Sequence, residues 1–429
     1  MRGYIYKILV LIPVLLILNS SLFIQNSNSQ WVQCPINDAD VNTFAASESN
    51  IYAGSSTSVS SVSIWSSTNN GMSWTQHIFF DSIFPNIEIP CIAIKGTNVY
   101  AGVNWGQINP NGGRIYLSTN NGTNWSLTSW ESGIISSLAV SDNNIYAGGS
   151  GNISIESGVY LSTNNGNNWT QTSLQNNTVN SIVIIGNNIF AGTDFNGVYL
   201  STNNGTNWTQ TSLNDKSVLS LAISGNYIFA GTYNYGVYLS SNNGINWTQT
   251  SLNNQRINSL AINGNYILAG TYNYGVYSSS NNGINWIQKN EGFSVVPTVY
   301  ALLIKDNYIF AGTLVYSTWR RPISEIIGIK LISEVVPADY KLFQNYPNPF
   351  NPETKIKFEI PLSKGGLKGV VSMKVYNILG KEIATLVNQQ LSPGTYSVDW
   401  DASAFPSGIY FYEIKSGDYM ETKRMIFIK

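Results

Sequence analysis

The sequence predicts an all-β protein: a seven-bladed β-propeller closed by its own N-terminal strand, followed by a small C-terminal Ig-like β-sandwich. Three observations lead to this prediction. A Ser-x-Asn-Asn-Gly-x-x-Trp turn occurs six times, and an Ala-Gly pair occurs seven times at related positions. After these repeats, the last part of the chain contains short alternating apolar and polar runs, which are typical of a half-buried β-sheet.

The repeated turn sets the period of the first part. Neighbouring turn tryptophans are 51 and 44 residues apart in the first two intervals and 39 apart in the last three. Four short strands separated by Gly and Asn turns fit this period, which is the size of a propeller blade. The glycine accepts a positive φ, and the Ser and Asn side chains can bond local backbone groups. The Gly and Trp positions of the six copies are Gly71 and Trp74, Gly122 and Trp125, Gly166 and Trp169, Gly205 and Trp208, Gly244 and Trp247, and Gly283 and Trp286.

The Ala-Gly pairs give the blade count and show how the ring closes. They begin at Ala53, Ala101, Ala147, Ala191, Ala230, Ala269 and Ala311. The last repeat stops near Trp319 without a fourth strand, while Trp31-Val-Gln33 copies the Trp-Thr-Gln sequence that opens other fourth strands. We therefore expect the N-terminal strand to complete blade seven, because closure removes a long unpaired sheet edge.

The domain boundaries follow from changes in composition. Residues 1–29 have the positive start, apolar core and small-residue end of a signal peptide. Their apolar run is short for a membrane span, and we expect no transmembrane segment after cleavage. We assign the propeller to residues 30–319, a linker to 320–339 and the sandwich to 340–429.

The repeated turn resembles the Asp-box, or BNR repeat, of sialidases and related propellers, whose motif is Ser-x-Asp-x-Gly-x-x-Trp. All six copies here have Asn in place of the Asp. The resemblance implies a propeller with these turns on the rim away from the active face. It implies no catalytic residue.

The C-terminal part closely resembles the type A sorting domain of the type IX secretion system of Bacteroidetes-like bacteria. The motifs that carry the resemblance include Pro347, Asn348, Pro349, Gly394, Tyr396, Gly408, Tyr410 and Lys423. It implies Sec export to the periplasm, passage through the outer membrane by the type IX machinery, and removal of the tail by a sortase-like peptidase. The cargo is then secreted or attached to the cell surface. An Ig-like adhesive module is the alternative interpretation.

The charged residues limit the possible chemistry. Residues 31–319 hold six basic and twelve acidic side chains, which argues against nucleic-acid binding. Sialidases use three arginines, whereas this region has only Arg114 and Arg256. The single histidine, His77, argues against a multi-histidine metal site or a histidine triad. Weak candidates for a carboxylate pair are Asp194, Glu88, Glu131 and Glu156. We expect no enzyme activity, no metal, no cofactor, and two free, mostly buried thiols at Cys34 and Cys91.

The insertions between repeats point to a binding face. If each repeat forms four strands, the insertions lie on the face of the ring opposite the Asn-Asn-Gly turns. Insertions on one face of a repeat protein often mark its ligand site. Exposed aromatic rings there suit a sugar or a peptide, although Tyr-Asn-Tyr-Gly could be only a turn sequence. The candidate ligand contacts are Trp105, Trp130, Phe79, Phe84, Tyr233, Tyr235, Tyr272 and Tyr274.

Three functions remain open at this point. The favoured one is an exported binding module for a glycan or a protein. The second is a glycoside hydrolase or sialidase-like enzyme, which convergent carboxylates in the central cleft would support. The third is a protein assembly or stability factor, the role that some Asp-box propellers have in photosynthetic membranes.

Overall fold

The computed structural model describes residues 30–429 except 35, 37–39, 58–60, 82–86, 106–111, 132, 152–156, 264–265, 327–328, 334, 363–368 and 403–404. The predicted signal peptide lies outside this part of the chain. Regular structure among the described residues consists of strands and one short 3-10 helix. None of the helical structure within these bounds has the length and hydropathy that a membrane span requires.

The first part of the chain forms four-stranded antiparallel units, which we number 1 to 7 along the sequence. The chain starts with β1 (Val32–Gln33). Unit 1 contains β2 (Asp40–Ala46), β3 (Ile51–Thr57), β4 (Ser61–Ser67) and β5 (Thr75–Asp81). Unit 2 contains β6 (Ile87–Lys95), β7 (Asn98–Trp105), β8 (Gly113–Ser118) and β9 (Ser126–Leu127). Pairing of β3 with β6 joins these two units into one eight-stranded sheet.

Units 3 to 6 are separate sheets in which each strand pairs with the next along the chain. Unit 3 contains β10 (Ile134–Ser141), β11 (Asn144–Ser150), β12 (Gly158–Ser162) and β13 (Thr170–Gln175). Unit 4 contains β14 (Val179–Ile185), β15 (Asn188–Thr193), β16 (Gly197–Ser201) and β17 (Thr209–Gln210). Unit 5 contains β18 (Val218–Ser224), β19 (Tyr227–Thr232), β20 (Val237–Ser240) and β21 (Thr248–Gln249). Unit 6 contains β22 (Ile257–Asn263), β23 (Tyr266–Thr271), β24 (Val276–Ser279) and β25 (Ile287–Gln288).

Unit 7 combines both ends of this part of the chain. It contains β26 (Val299–Lys305), β27 (Tyr308–Thr313) and β28 (Ser317–Pro322), and β1 is its fourth strand. In the antiparallel pairing of β1 with β28, Val32 faces Arg320. Trp31 is 2% exposed, stacks on Phe293 and donates its indole N–H to the Lys289 carbonyl at 2.6 Å. The expected pairing of the N-terminal strand is therefore confirmed.

The units are arranged in a ring. The first strand of each unit packs against the first strand of the next, and β26 packs against β2. The Ala-Gly pair lies at this contact. A Cβ at Gly312 would approach Val41 Cγ1 to 2.7 Å, and one at Gly192 would approach Val218 Cγ1 to 2.6 Å. Glycine is thus required where the neighbouring strand passes close to the backbone.

In units 1 to 6, the Asn-Asn-Gly turn connects the third and fourth strands and contacts the preceding unit. In unit 5, Ser240 Oγ accepts the Gly244 N–H at 2.9 Å, and Asn242 Oδ1 accepts the Asn246 N–H at 2.9 Å. Gly244 has φ +81° and packs on Phe190 of unit 4. Trp247 donates its indole N–H to Thr211 Oγ1 at 3.1 Å, also outside its own unit. The turn therefore stabilises both its own hairpin and the contact between units.

The tail consists of two four-stranded sheets whose buried residues share one core. One sheet has the order β29-β34-β31-β30 and the other β33-β32-β35-β36. The strands are β29 (Ile329–Ser333), β30 (Lys341–Leu342), β31 (Glu353–Ile360), β32 (Gly369–Asn377), β33 (Glu382–Leu391), β34 (Gly394–Asp401), β35 (Gly408–Ser416) and β36 (Tyr419–Phe427).

The segment 320–339, which we expected to be a linker, is structured over much of its length. β28 continues to Pro322, and the 3-10 helix Ile323–Glu325 follows it. β29 then pairs with β34 of the tail. The linker prediction missed this strand because its partner lies more than 60 residues further along the chain.

The ring and the tail are in direct contact. Tyr266, at the start of β23, donates its hydroxyl hydrogen to the Leu386 carbonyl at 3.1 Å. Arg321 is buried and forms ion pairs with Glu291 at 2.8 Å and Glu325 at 3.4 Å. Because Arg321 is so buried, removing either acidic partner would be costly.

Candidate ligand-binding site on the ring axis

A cavity of about 490 Å³ opens on the axis of the ring. The first strand of every unit contributes a side chain to its lining, which places the cavity at the centre. The lining residues on these strands are Asp40 and Asn42, Glu88 and Pro90, Ser136, Asn180, Leu219, Asn258 and Tyr300. Ser56, Arg256 and Leu314 complete the lining. The cavity is large enough for a few sugar rings or amino-acid residues.

Arg256 is the cation of this cavity, and three neighbours fix its position. Its guanidinium lies 4.7 Å from the ring centre of Tyr233 and 5.2 Å from that of Tyr272. Its Nε donates to Asn258 Oδ1 at 3.0 Å. Such cation–π contacts stabilise a guanidinium without using its hydrogen-bond donors. In the described part of the chain its hydrogen bonding uses Nε, so both terminal nitrogens are available to a ligand.

Two carboxylates lie on another side of the cavity. Asp40 and Glu88 are both register partners of Ser56, from opposite sides of β3. Two strand spacings separate their Cα atoms by about 9–10 Å. Asp40 Oδ1 accepts the Val315 N–H at 2.7 Å, and Glu88 Oε1 accepts from Asn104 Nδ2 at 3.3 Å. The cavity therefore carries both signs of charge.

Tyr300 lies close enough to both Asp40 and Arg256 for their charges to affect its hydroxyl. Burial raises the pKa of its hydroxyl, the nearby Asp40 carboxylate adds to the rise, and Arg256 opposes it. The hydroxyl is therefore neutral at physiological pH and can donate a hydrogen bond to a ligand.

The four candidate tyrosines are exposed and lie on the face that the sequence predicted. The structure brings the Tyr233 and Tyr272 rings close to the same guanidinium, that of Arg256. Tyr235 and Tyr274 are half-exposed, and Lys216 Nζ lies 4.4 Å from the Tyr235 ring centre. The aromatic surface of units 5 and 6 is thus continuous with the cavity through Arg256.

The candidate aromatic ligand contacts in units 1 to 3 differ in how exposed they are in the structure. Trp130 is 1% exposed, contacts Tyr160 and Trp169 edge-on, and donates to the Gly133 carbonyl. It is a core residue, which corrects the expectation of an exposed ring. Trp105 is partly buried, with Arg114 Cζ 5.7 Å from its ring centre. Phe84 and the side chain of Phe79 lie outside the described part of the chain.

Sequence reasoning missed Asp40 and Tyr300 and did not give Arg256 its central place. These positions could have been found in the sequence because they alternate along the strands with apolar residues that are fully buried, such as Val41, Ile257 and Val299. In a strand, residues on either side of a buried one point to the other face. The seven first strands therefore present these positions to the axis.

Neither the two cysteines nor His77 lines the axial cavity. The prediction of free, buried thiols at Cys34 and Cys91 is confirmed, and burial raises both pKa values. His77 bonds Ser66 Oγ at 3.0 Å, within unit 1. The described residues contain no group of three His, Cys, Asp or Glu side chains arranged to hold a metal ion.

Two of the sorting-motif tyrosines, Tyr396 in β34 and Tyr410 in β35, bond back to the chain just before their own strands. Tyr396 and Tyr410 donate their hydroxyl hydrogens to the Ser392 and Pro406 carbonyls, four residues earlier in each case. Asn345 Nδ2 donates to the Pro347 carbonyl at 3.0 Å, and Lys423 Nζ lies 2.9 Å from Glu421. The two tyrosines therefore fix the segments of chain that lead into their strands.

These features define an all-β, propeller-like ring with a polar, aromatic-edged cavity on its axis and a two-sheet C-terminal tail. Residues 344–429 match the family described as "Secretion system C-terminal sorting domain". The tail is therefore a type IX sorting domain, as the sequence motifs predicted. No curated protein matches the chain.

Solved structures resemble the ring. YCF48 from Cyanidioschyzon merolae aligns with a TM-score of 0.53 at 13% identity, covering 69% of this chain and 99% of that one. A structure titled "YCF48 bound to D1 peptide" aligns with a TM-score of 0.54 at 11% identity, covering 69% and 98%. At this identity the likeness shows the fold, which is propeller-like.

Proposed function

We propose that the chain is an exported binding module that holds a glycan or protein ligand in the axial cavity. The observation that carries this proposal is Arg256, which lines the cavity, contacts the rings of Tyr233 and Tyr272, and bonds Asn258 through Nε rather than through its terminal nitrogens. A fixed guanidinium beside exposed rings binds polar ligands at a low entropic cost. We further propose that units 1 to 7 are the blades of a complete seven-bladed propeller related to Asp-box proteins.

The sorting domain supports delivery to the cell surface or the medium. We propose the route that the sequence resemblance implies, with Sec export, a periplasmic stage and tail removal by a sortase-like peptidase. The two packed sheets support an Ig-like sandwich for the tail. Exposed apolar residues of the tail such as Tyr346 and Leu379 offer contacts to the secretion machinery.

A protein ligand has its own supporting observation. One similar structure is of YCF48 bound to a D1 peptide, so a ring of this fold binds a peptide in that protein. The assembly or stability role considered from the sequence belongs to this version of the proposal. A glycan is supported by the half-exposed tyrosines and by the many amide side chains around them.

The first test uses the full chain, comparing Arg256→Gln with Arg424→Gln. Arg424 is an exposed arginine of the tail and serves as the matched control. We expect selective binding on a glycan array or in a cell-surface pull-down. We expect Arg256→Gln to weaken it by roughly 10- to 100-fold, because a charge-assisted hydrogen bond contributes about 1.5–3 kcal/mol. Unchanged binding by folded Arg256→Gln would exclude the axial cavity as the site.

Hydrolysis is the second candidate, and Asp40 and Glu88 are the observation that favours it. Two carboxylates in the central cavity are what a glycosidase needs, and inverting enzymes place them about 6.5–9.5 Å apart. Under this alternative, Asp40→Asn or Glu88→Gln abolishes product formation from a bound oligosaccharide. Under the binding proposal, the wild-type protein releases no product during prolonged incubation.

A further inference from the structure

The segment that joins the ring to the tail is buried over its first part. Ile323, Ile326 and Ile329 are all buried in a core that contains residues of both the ring and the tail. Arg321 is held there by its two ion pairs. A peptidase needs an extended, accessible stretch of backbone, which these described residues do not offer.

The next element, β29, completes a sheet of the sorting domain. It pairs with β34 through four register positions, from Ile329 opposite Val398 to Ser333 opposite Thr395. β29 lies at the edge of its sheet and precedes residues 344–429, which match the sorting family. A strand upstream of the matched domain is thus part of that domain's fold.

The chain becomes accessible directly after β29. Val335 is 77% exposed and Val336 is 51% exposed, in the connection between β29 and β30. The Val335 N–H donates to Ser333 Oγ at 3.2 Å, a local bond to the last residue of β29. Among the described strands, none pairs with residues 335–340. Exposed connections without ladder partners are preferred sites of proteolysis.

We infer that the tail is cut within residues 335–340, and that β29 stays on the ring product and keeps the cut tail bound. In this step water adds to a peptide carbonyl carbon and the C–N bond breaks. A carboxylate forms on the ring product and an amino group on the tail. The inference rests on the proposed export function, which supplies the peptidase.

Three described interactions hold the two products together after the cut. They are the backbone pairing of β29 with β34, the buried Ile329 side chain, and the hydrogen bond from Tyr266 to the Leu386 carbonyl. Release of the ring is therefore a second step, in which β29 leaves the sheet.

Limited proteolysis of the purified full chain tests both the position of the cut and the retention of the cut tail. Elastase is suitable because Val335 and Ala338 are small aliphatic residues that it accepts. We expect intact-mass analysis to place the first cut within residues 335–340, and the products to co-elute in gel filtration until denaturant is added. A first cut before Ile329, or immediate separation of the products, would overturn the inference.

Two substitutions within β29 provide a matched pair. Ile329 is fully buried, whereas Ile332 is 55% exposed in the same strand. We expect Ile329→Ala to speed separation of the cut products by about 10-fold or more, and Ile332→Ala to leave it unchanged. Equal separation rates for wild type and Ile329→Ala would show that β29 is not the tether.

The position of the C-terminus of the mature protein, measured in the secreting host, distinguishes a failure of this inference from a failure of the proposed export function. A terminus within residues 335–340 supports the inference, and a terminus upstream of Ile329 overturns it alone. Secretion with the whole tail retained would contradict tail removal itself, while the proteolysis experiment would still report on β29.

Discussion

Two glycines with positive φ separate backbone strain from packing: Gly225 in the turn between β18 and β19, and Gly244 in the Asn-Asn-Gly turn of the same unit. Gly225 has φ +56° with nothing near its Cβ position, whereas a Cβ at Gly244 would lie 2.6 Å from Phe190 Cε1. We expect Gly225→Ala to lower the free energy of unfolding by about 1–2 kcal/mol through strain alone. Gly244→Ala adds an overpacking cost of about 1–3 kcal/mol. Denaturant titration of both variants measures the difference, and equal losses would show that the turn does not press on the preceding unit.

His77 gives the ring a small pH dependence of stability. Burial lowers the pKa of its imidazole from the ordinary 6.5, so the unfolded chain binds this proton more readily than the folded one. The contribution of His77 to the free energy of unfolding is therefore complete above pH 6.5. It falls as the pH drops below 6.5 and becomes constant below the pKa that His77 has in the folded protein. Because His77 is the only histidine, His77→Gln should weaken the pH dependence of the melting temperature between about pH 5.5 and 7.5, a range above the ordinary pKa values of carboxylates. An unchanged profile would contradict this assignment.

At the residue scale, the turn chemistry was predictable and the ligand contacts only partly so. Ser240 and Asn242 bond the backbone groups that their types and spacing indicated. Trp130 was misplaced, because a single tryptophan in a non-repeated position gives no signal of the core behind it. The role of Arg256 could be recognised only in the structure, because Tyr233 of unit 5 and Tyr272 of unit 6 both come close to its guanidinium only when the two units pack together.

At the scale of elements, β1 is two residues long, yet the tryptophan before it fixes both ends of the ring. Trp31 is buried against Phe293 and bonds the Lys289 carbonyl, whereas Val32 is half-exposed. We expect Trp31→Ala to lower the free energy of unfolding by about 3–5 kcal/mol and to promote association through the freed edge of β28. Val32→Ala is the control and should change stability by less than about 0.5 kcal/mol. Denaturation with light scattering checks both, and a monomeric Trp31→Ala protein with wild-type stability would contradict the closing role.

The elements were predictable where the chain repeats itself. The period of the Asn-Asn-Gly turns predicted four strands in each unit, and the copied Trp-x-Gln sequence predicted the pairing of β1 with β28. β29 does not belong to any repeat and pairs across a large sequence separation with β34. Its apolar residues, read without that partner, did not distinguish a strand from a linker.

At the scale of the whole molecule, the tail contacts the ring far from the axial cavity. Tyr266 lies beside the end of β22, and Arg256 immediately precedes its start, about 20 Å away along the strand. The cavity is thus accessible whether or not the tail is attached. The two parts of the molecule have separate surfaces for separate tasks.

Export should therefore fail without the tail, while the ring itself remains intact. We expect deletion of residues 340–429 to leave the protein in the periplasm of a type IX-secreting host, because the sorting domain is lost. Cell fractionation with the full chain as control measures this. A truncated protein that reaches the medium at normal levels would contradict the sorting role.

The pairing of β1 with β28 also determines when the ring can form. β1 leaves the ribosome before the other strands of the ring, and its partner residues, Trp319 and Arg320, follow nearly 290 residues later. Contacts so distant in sequence form slowly, because a long loop must close before they stabilise anything. On the export route proposed above, a chain that crosses a membrane from its N-terminus stays open until almost all of the ring has emerged. On that route the ring closes only on the far side of the membrane, where its first and last strands meet.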